Sequence, residues 1–120
     1  MRKMSGRICA GDRTYALDLR EQGGRWTAEA RHVEGGAPTG PSCDADTAER
    51  AIDQLTRWLT WQQEHRAALE HLQDAERAYH RIVTSHAFGS AEVSDAQREA
   101  LQHLEQARHT LDAIRSGQPS

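Results

Sequence analysis

The chain has 120 residues, the size of one domain, and only 37% of them are hydrophobic, which predicts a thin core. No apolar run approaches the ~20 residues of a membrane span, and Met1–Ala10 carries Arg2, Lys3 and Arg7 without the apolar stretch of a signal peptide, so a cytoplasmic location off the membrane is expected. The net charge of −3 divides into +3 over residues 1–33 (seven basic, four acidic) and −6 over the rest (eight basic, fourteen acidic), too weak a basic patch to mark a nucleic-acid protein.

A first strand is expected near Arg7–Ala10. Tyr15, Leu17 and Leu19 then alternate with Ala16, Asp18 and Arg20, the period of a half-buried strand. Gly23 and Gly24 supply the positive φ angles of a two-residue hairpin turn. Trp26, Ala28 and Ala30 alternate in the same way after the turn. A two-residue turn sets Leu19 opposite Ala28 and Leu17 opposite Ala30, which lands both apolar sets on one face. Gly35, Gly36, Pro38, Gly40 and Pro41 exclude regular structure between Glu34 and Pro41, and a short strand is expected near Pro41–Ala45.

From Asp46 the pattern is helical. Asp46 and Glu49 have capping-box spacing, so Asp46 is expected as the cap. Apolar residues recur in steps of three and four from Ala48 to Val83, and neither Gly nor Pro intervenes before Gly89. Gln62 and His65 fall where apolar residues are due. Residues 47–61 are therefore expected to cover the sheet, and residues 66–86 to pack elsewhere. Gly89 closes this helix, Ser94 with Gln97 opens the next, and Gly117 and Pro119 end it. The two helices form an antiparallel hairpin. Its inner stripe on the last helix is Val93, Ala96, Ala100, Leu104, Ala107, Leu111 and Ile114, with Leu101, Ala68 and Val83 left exposed beside the seam.

The expected fold class is α+β: a three- or four-stranded antiparallel sheet covered by a long helix that continues into a C-terminal αα-hairpin. Residues 1–61 form the sheet with its covering helix, residues 62–115 the hairpin, and residues 116–120 a disordered tail. A lone hairpin leaves apolar surface wet, so two are expected to pair as a homodimer through Leu69, Leu72, Tyr79, Ile82, Leu101, Leu104 and Leu111.

Chemistry finds little purchase. Six of the seven histidines lie in the helices, and Glu76/His80, Glu99/His103 and Glu105/His109 are spaced i,i+4. Di-metal bundles use Glu-x-x-His, one residue shorter. These pairs are read as surface pairs, and His65 and His86 as polar register devices on the seam. No metal or other cofactor is expected. Cys9 and Cys43 lack metal-ligand spacing and are expected as free thiols. Cys43, near a helix start, is placed for a pKa lowered by the helix dipole, with His32 the one candidate base in the sheet region. The glycine-rich stretches lack the phosphate-loop pattern and its lysine. The chain is therefore read as non-catalytic.

Partner-binding candidates are Arg20, Arg25 and Arg31 on the outer hairpin face and Trp61 at the edge of the helix stripe. Ion pairing with Glu29 and Asp18 is the structural alternative for the arginines. Trp26 belongs to the hairpin face, and Trp58 faces the sheet.

Tyr15-Ala-Leu-Asp-Leu, Gly23-Gly24 and Trp26-Thr-Ala-Glu-Ala resemble the opening hairpin of HicB-like antitoxin domains. Gly40-Pro41-Ser42-Cys43 and the helix start from Asp46 through Ala51 resemble that family's third strand and helix, so the likeness spans residues 14–61. It implies a partly RNase H-like fold that masks a small RNA-cleaving toxin. Residues 66–115 resemble neither of the DNA-binding modules that family carries. The function expected is a protein-binding module, antitoxin-like, with a small basic protein and a second copy as partners. The alternatives are a self-associating helical scaffold and a weak nucleic-acid binder using the Arg-bearing sheet.

Overall fold

Local turn chemistry sets the sheet. A computed structural model describes residues 1–85 and 91–119, apart from the side chains of residues 85 and 91–94. Four strands, β1 (Arg2–Ala10), β2 (Arg13–Gln22), β3 (Arg25–His32) and β4 (Pro38–Ala45), form an antiparallel meander in chain order. Gly23 and Gly24 turn at φ +61° and +79°, the two positive angles of a type I′ turn, whose twist matches that of the flanking strands. Leu19 faces Ala28 and Leu17 faces Ala30, as the alternation requires. β1 is longer than the Arg7–Ala10 expected, because its first half is paired as well, from Arg2 opposite Glu21 onward.

The segment expected as an irregular loop as far as Pro41 is a strand from Pro38. The loop shrinks to residues 33–37 and is closed by the His32 N–H donating to the Ala37 carbonyl at 2.8 Å. Two features reconcile its prolines and glycine with a strand. β4 is an edge, where a missing N–H costs no ladder bond. The pairing also slips between Ala28, opposite Cys43, and Ala30, opposite Thr39, so Gly40 sits in an irregularity at φ +74°.

The helix α1 (Ala48–Ser85) follows without a break through the polar stretch 62–66. Its cap is Thr47 and not Asp46: the Arg50 N–H donates to Thr47 Oγ1 at 3.1 Å. Asp46 is instead engaged by Arg25, at 2.6 Å. Thr47→Ala is expected to cost about 1 kcal/mol, the usual worth of an N-cap, and Asp46→Ala less, since it loses only an exposed ion pair. Urea midpoints of the two variants compare them directly.

The chain divides into two compact units, Met1–Gln63 with the terminal Gln118–Ser120, and Glu64–Gly117. In the first, Ala51, Leu55 and Leu59 recur every four residues on α1 and are at most 1% exposed. They share one core with Ile8, Ala10, Tyr15, Leu17, Leu19, Ala28, Ala30, Cys43 and Ala45, and Trp26 and Trp58 pack at its margin. The polar residues that interrupt the apolar stripe hold the sheet by hydrogen bonds. Gln63 Nε2 donates to the Ala10 carbonyl at 2.7 Å and lies 2.8 Å from the Tyr15 hydroxyl, and Gln62 reaches Thr39 at 3.5 Å.

In the second unit α1 runs beside α2 (Ala91–Ser116). The backbone is helical three residues before Ser94, so Ser94 does not begin the helix. At the other end the helix includes Ser116, the first residue of the expected tail, and the Gly117 N–H donates to the Ile114 carbonyl at 3.0 Å. Gly89 and His86 lie outside the described residues, as does the side chain of Val93. No described helix is long and apolar enough to cross a membrane.

Candidate functional site

Period-2 alternation sends every second residue of β2 and β3 to the face away from α1, among them the charged Asp18, Arg20, Arg25, Glu29 and Arg31. Register sets Asp18 directly opposite Glu29, two like charges across the ladder. Each is neutralised on the diagonal. Arg31 donates to both carboxylate oxygens of Asp18, at 2.7 and 3.3 Å, and Arg20 reaches Glu29 at 2.5 Å. Ser42 adds a hydrogen bond to Glu29 at 3.3 Å, and Thr27 donates to Asp44 at 2.7 Å. The three arginines singled out for partner binding are thus held by carboxylates of their own unit, Arg25 by Asp46. Such exposed pairs are worth at most about 1 kcal/mol each, so they order the face more than they stabilise it. Trp61 packs edge-on against Trp58, ring centroids 5.7 Å apart.

Cys43 is 6% exposed. Burial, and then the neighbouring Asp44 carboxylate, raise its pKa, the opposite of the lowering expected from a helix dipole. The thiol faces the core from β4 and stays protonated. His32, the only base considered for it, stacks at a tilt on Tyr15 with ring centroids 5.9 Å apart. It lies four residues along β3 from Ala28, the residue that Cys43 faces. Cys9 is exposed, its sulfur 3.5 Å from the Thr14 hydroxyl. Among the described residues, neither cysteine is hydrogen-bonded to a histidine.

The helical unit carries an open groove. Its helices run antiparallel: Arg115, at the end of α2, donates to His65 Nε2 at 3.3 Å. Among the described residues of this unit, Ala68, Ala100, Leu104, Ala107 and Leu111 are buried. Ala68, expected to stay exposed, is 8% exposed, because a small side chain beside the seam lets the helices approach closely. Leu104 and Leu111, expected on the inner stripe and also at a partner contact, lie inside the chain's own hairpin at 5% and 3% exposure, which leaves them no part in a partner contact. Leu69, Leu72, Tyr79 and Ile82 are half-buried, while Leu101 and Val83 are exposed. A groove of about 560 Å³ follows the seam, with Ala75, Ala78, Ile82, Ala96 and Ala100 on its floor. His71, Asp74, Glu99 and His103 are on its rim.

The described residues contain no group of three or more His, Cys, Asp or Glu placed to hold a metal ion. His80, His103 and His109 are exposed, as surface residues of the helices. What sequence reasoning missed is Gln63, whose two hydrogen bonds tie α1 to β1 and β2. The only signal for it was the break in the apolar stripe. Comparison with family models, with curated proteins and with solved structures finds no match to this chain.

Proposed function

We propose that this chain is a non-catalytic protein-binding module that self-associates, its helical hairpin pairing with that of a second copy. The supporting observation is the apolar surface of the hairpin. Leu101 and Val83, 39% and 43% exposed, lie beside the half-buried Leu69, Leu72, Tyr79 and Ile82. A two-helix unit closes only one seam, and a second hairpin turns the open flanks into the interior of a four-helix bundle. Residues 64–117 carry six arginines and nine acidic residues, −3 per copy, a repulsion largely screened beyond ~8 Å at physiological salt.

That acidic excess also favours a second reading, in which the partner is a small basic protein, as the antitoxin-like resemblance implies. The hairpin pairing is tested by light scattering on the full chain. Replacing Leu72 and Leu101 together by Glu (L72E/L101E) is expected to halve the mass while the helical circular dichroism is kept. An unchanged mass in the double variant removes the hairpin contact. Pull-down by the wild-type chain of a small basic protein, lost in L72E/L101E, would support the second reading.

A further inference from the structure

The two edges of the sheet are built differently. β4 carries Pro38, Pro41 and the irregularity at Gly40, devices that discourage another strand from pairing there. β1 has neither a proline nor a slip in register, and its protection is limited to the charges of Arg2, Lys3 and Arg7. Its nine residues, Arg2–Ala10, run in unbroken register with β2, and its other side pairs with no strand of the sheet. Ala10 and Arg13 close a two-residue turn and form a hydrogen-bonded pair in such hairpins. By alternation, the even residues of β1 bond to β2. Lys3, Ser5, Arg7 and Cys9 then direct their N–H and C=O groups to the open edge.

We propose that a second copy of the chain pairs with this edge, β1 antiparallel to β1, about a two-fold axis at Gly6. The two four-stranded sheets then become one of eight strands. The charges of β1 select the register. Residues opposite each other in a continuous antiparallel sheet share a face, so the axis passes through a residue. An axis at Ser5 sets Lys3 against Arg7 of the partner subunit, and an axis at Arg7 sets that residue against its own copy. Both oppose like charges directly, which is destabilising. An axis at Gly6 uses the strand's full length and avoids this. Arg2 meets the partner's Ala10, Lys3 the partner's Cys9, and Ser5 the partner's Arg7.

The same register accounts for an exposed methionine. Met4 shares the face of Ile8 and Leu19, yet is 55% exposed, while Ile8 is 6% exposed. In the paired sheet Met4 lies opposite the partner's Ile8, in a non-hydrogen-bonded pair, where facing side chains are closest. Gly6 marks the axis, and open space surrounds the position of a Cβ there. The contact is isologous and uses up both β1 edges, so growth through it stops at two copies.

This interface is separate from the hairpin contact, and variants tell them apart. With both contacts formed, the wild type is expected to be a tetramer by light scattering over a concentration series, and L72E/L101E, which removes hairpin pairing, to be the dimer held by β1. Adding Ser5→Arg is expected to halve that mass. Within the chain Ser5 faces Asp18, which tolerates a guanidinium, whereas across the axis the new charge meets Arg7 of the partner subunit twice. Adding Arg7→Glu as well is expected to restore the dimer by charge exchange, a rescue that loss of folding would not give. A monomeric L72E/L101E, or a mass that Ser5→Arg leaves unchanged in a chain with a folded circular dichroism spectrum, overturns the β1 pairing. If instead the wild type is halved by Ser5→Arg and unaffected by L72E/L101E, the hairpin reading fails and this one stands.

Discussion

Leu55→Ala is expected to lower the stability of the sheet unit by about 4 kcal/mol, toward the upper end for truncation of a core leucine. Leu55 is 0% exposed, and it shares its core with Ala28 and Ala51, also 0% exposed. Alanine neighbours have no side chain that can swing into the void, so the cavity persists and its cost adds to the lost transfer energy. Set against typical domain stabilities of roughly 5–15 kcal/mol, that is a large share. The control is Val33→Ala, at 54% exposure and outside the hairpin, expected to stay within about 0.5 kcal/mol. Urea unfolding compares them through the midpoint, with the slope unchanged. Equal midpoints for the two variants would mean that the α1–sheet core does not hold the unit together.

Gly40→Ala is expected to cost about 2–3 kcal/mol, from two sources that can be separated. The backbone at φ +74° disfavours any residue with a Cβ, by about 1–2 kcal/mol. A Cβ there would also come within 3.1 Å of Leu59 Cδ2, and Leu59, 1% exposed, has little room to yield. Gly23→Ala isolates the first source: Gly23 has φ +61°, with open space where its Cβ would lie. A double-mutant cycle isolates the second. In a Leu59→Ala background, Gly40→Ala should lose about 1 kcal/mol of its cost, the coupling expected of touching groups. Additive effects in that cycle would place Gly40's requirement in the backbone angle alone.

The two glycines also show which features can be read from sequence. Gly23 belongs to a pair flanked by alternating apolar residues, so turn type and register follow from residues within ten positions. Gly40 stands among prolines and reads as loop. Its role depends on β3 and on Leu59, nineteen residues further on. The helical hairpin divides in the same way. Period and the absence of Gly and Pro foretell two helices, and the same period sets Leu104 and Leu111 on the inner stripe with Leu101 exposed beside it. Rotation of the helices about their axes, which is a matter of packing, decides Ala68 instead: the period leaves it exposed beside the seam, and the structure buries it at 8%.

The sequence by itself determined the α+β class, the hairpin register and the two helices, because each rests on φ preferences and on side-chain periods of two or 3.6 residues. Only the tertiary structure decided that Pro38 begins a strand and that Thr47 caps α1. The same holds for Gln63 as the residue anchoring helix to sheet, and for Asp46 as the partner of Arg25. The physical reason is reach. Hydrogen bonds and ion pairs between residues 21 to 53 positions apart form only where the fold brings their elements together, and a linear pattern carries no record of that distance.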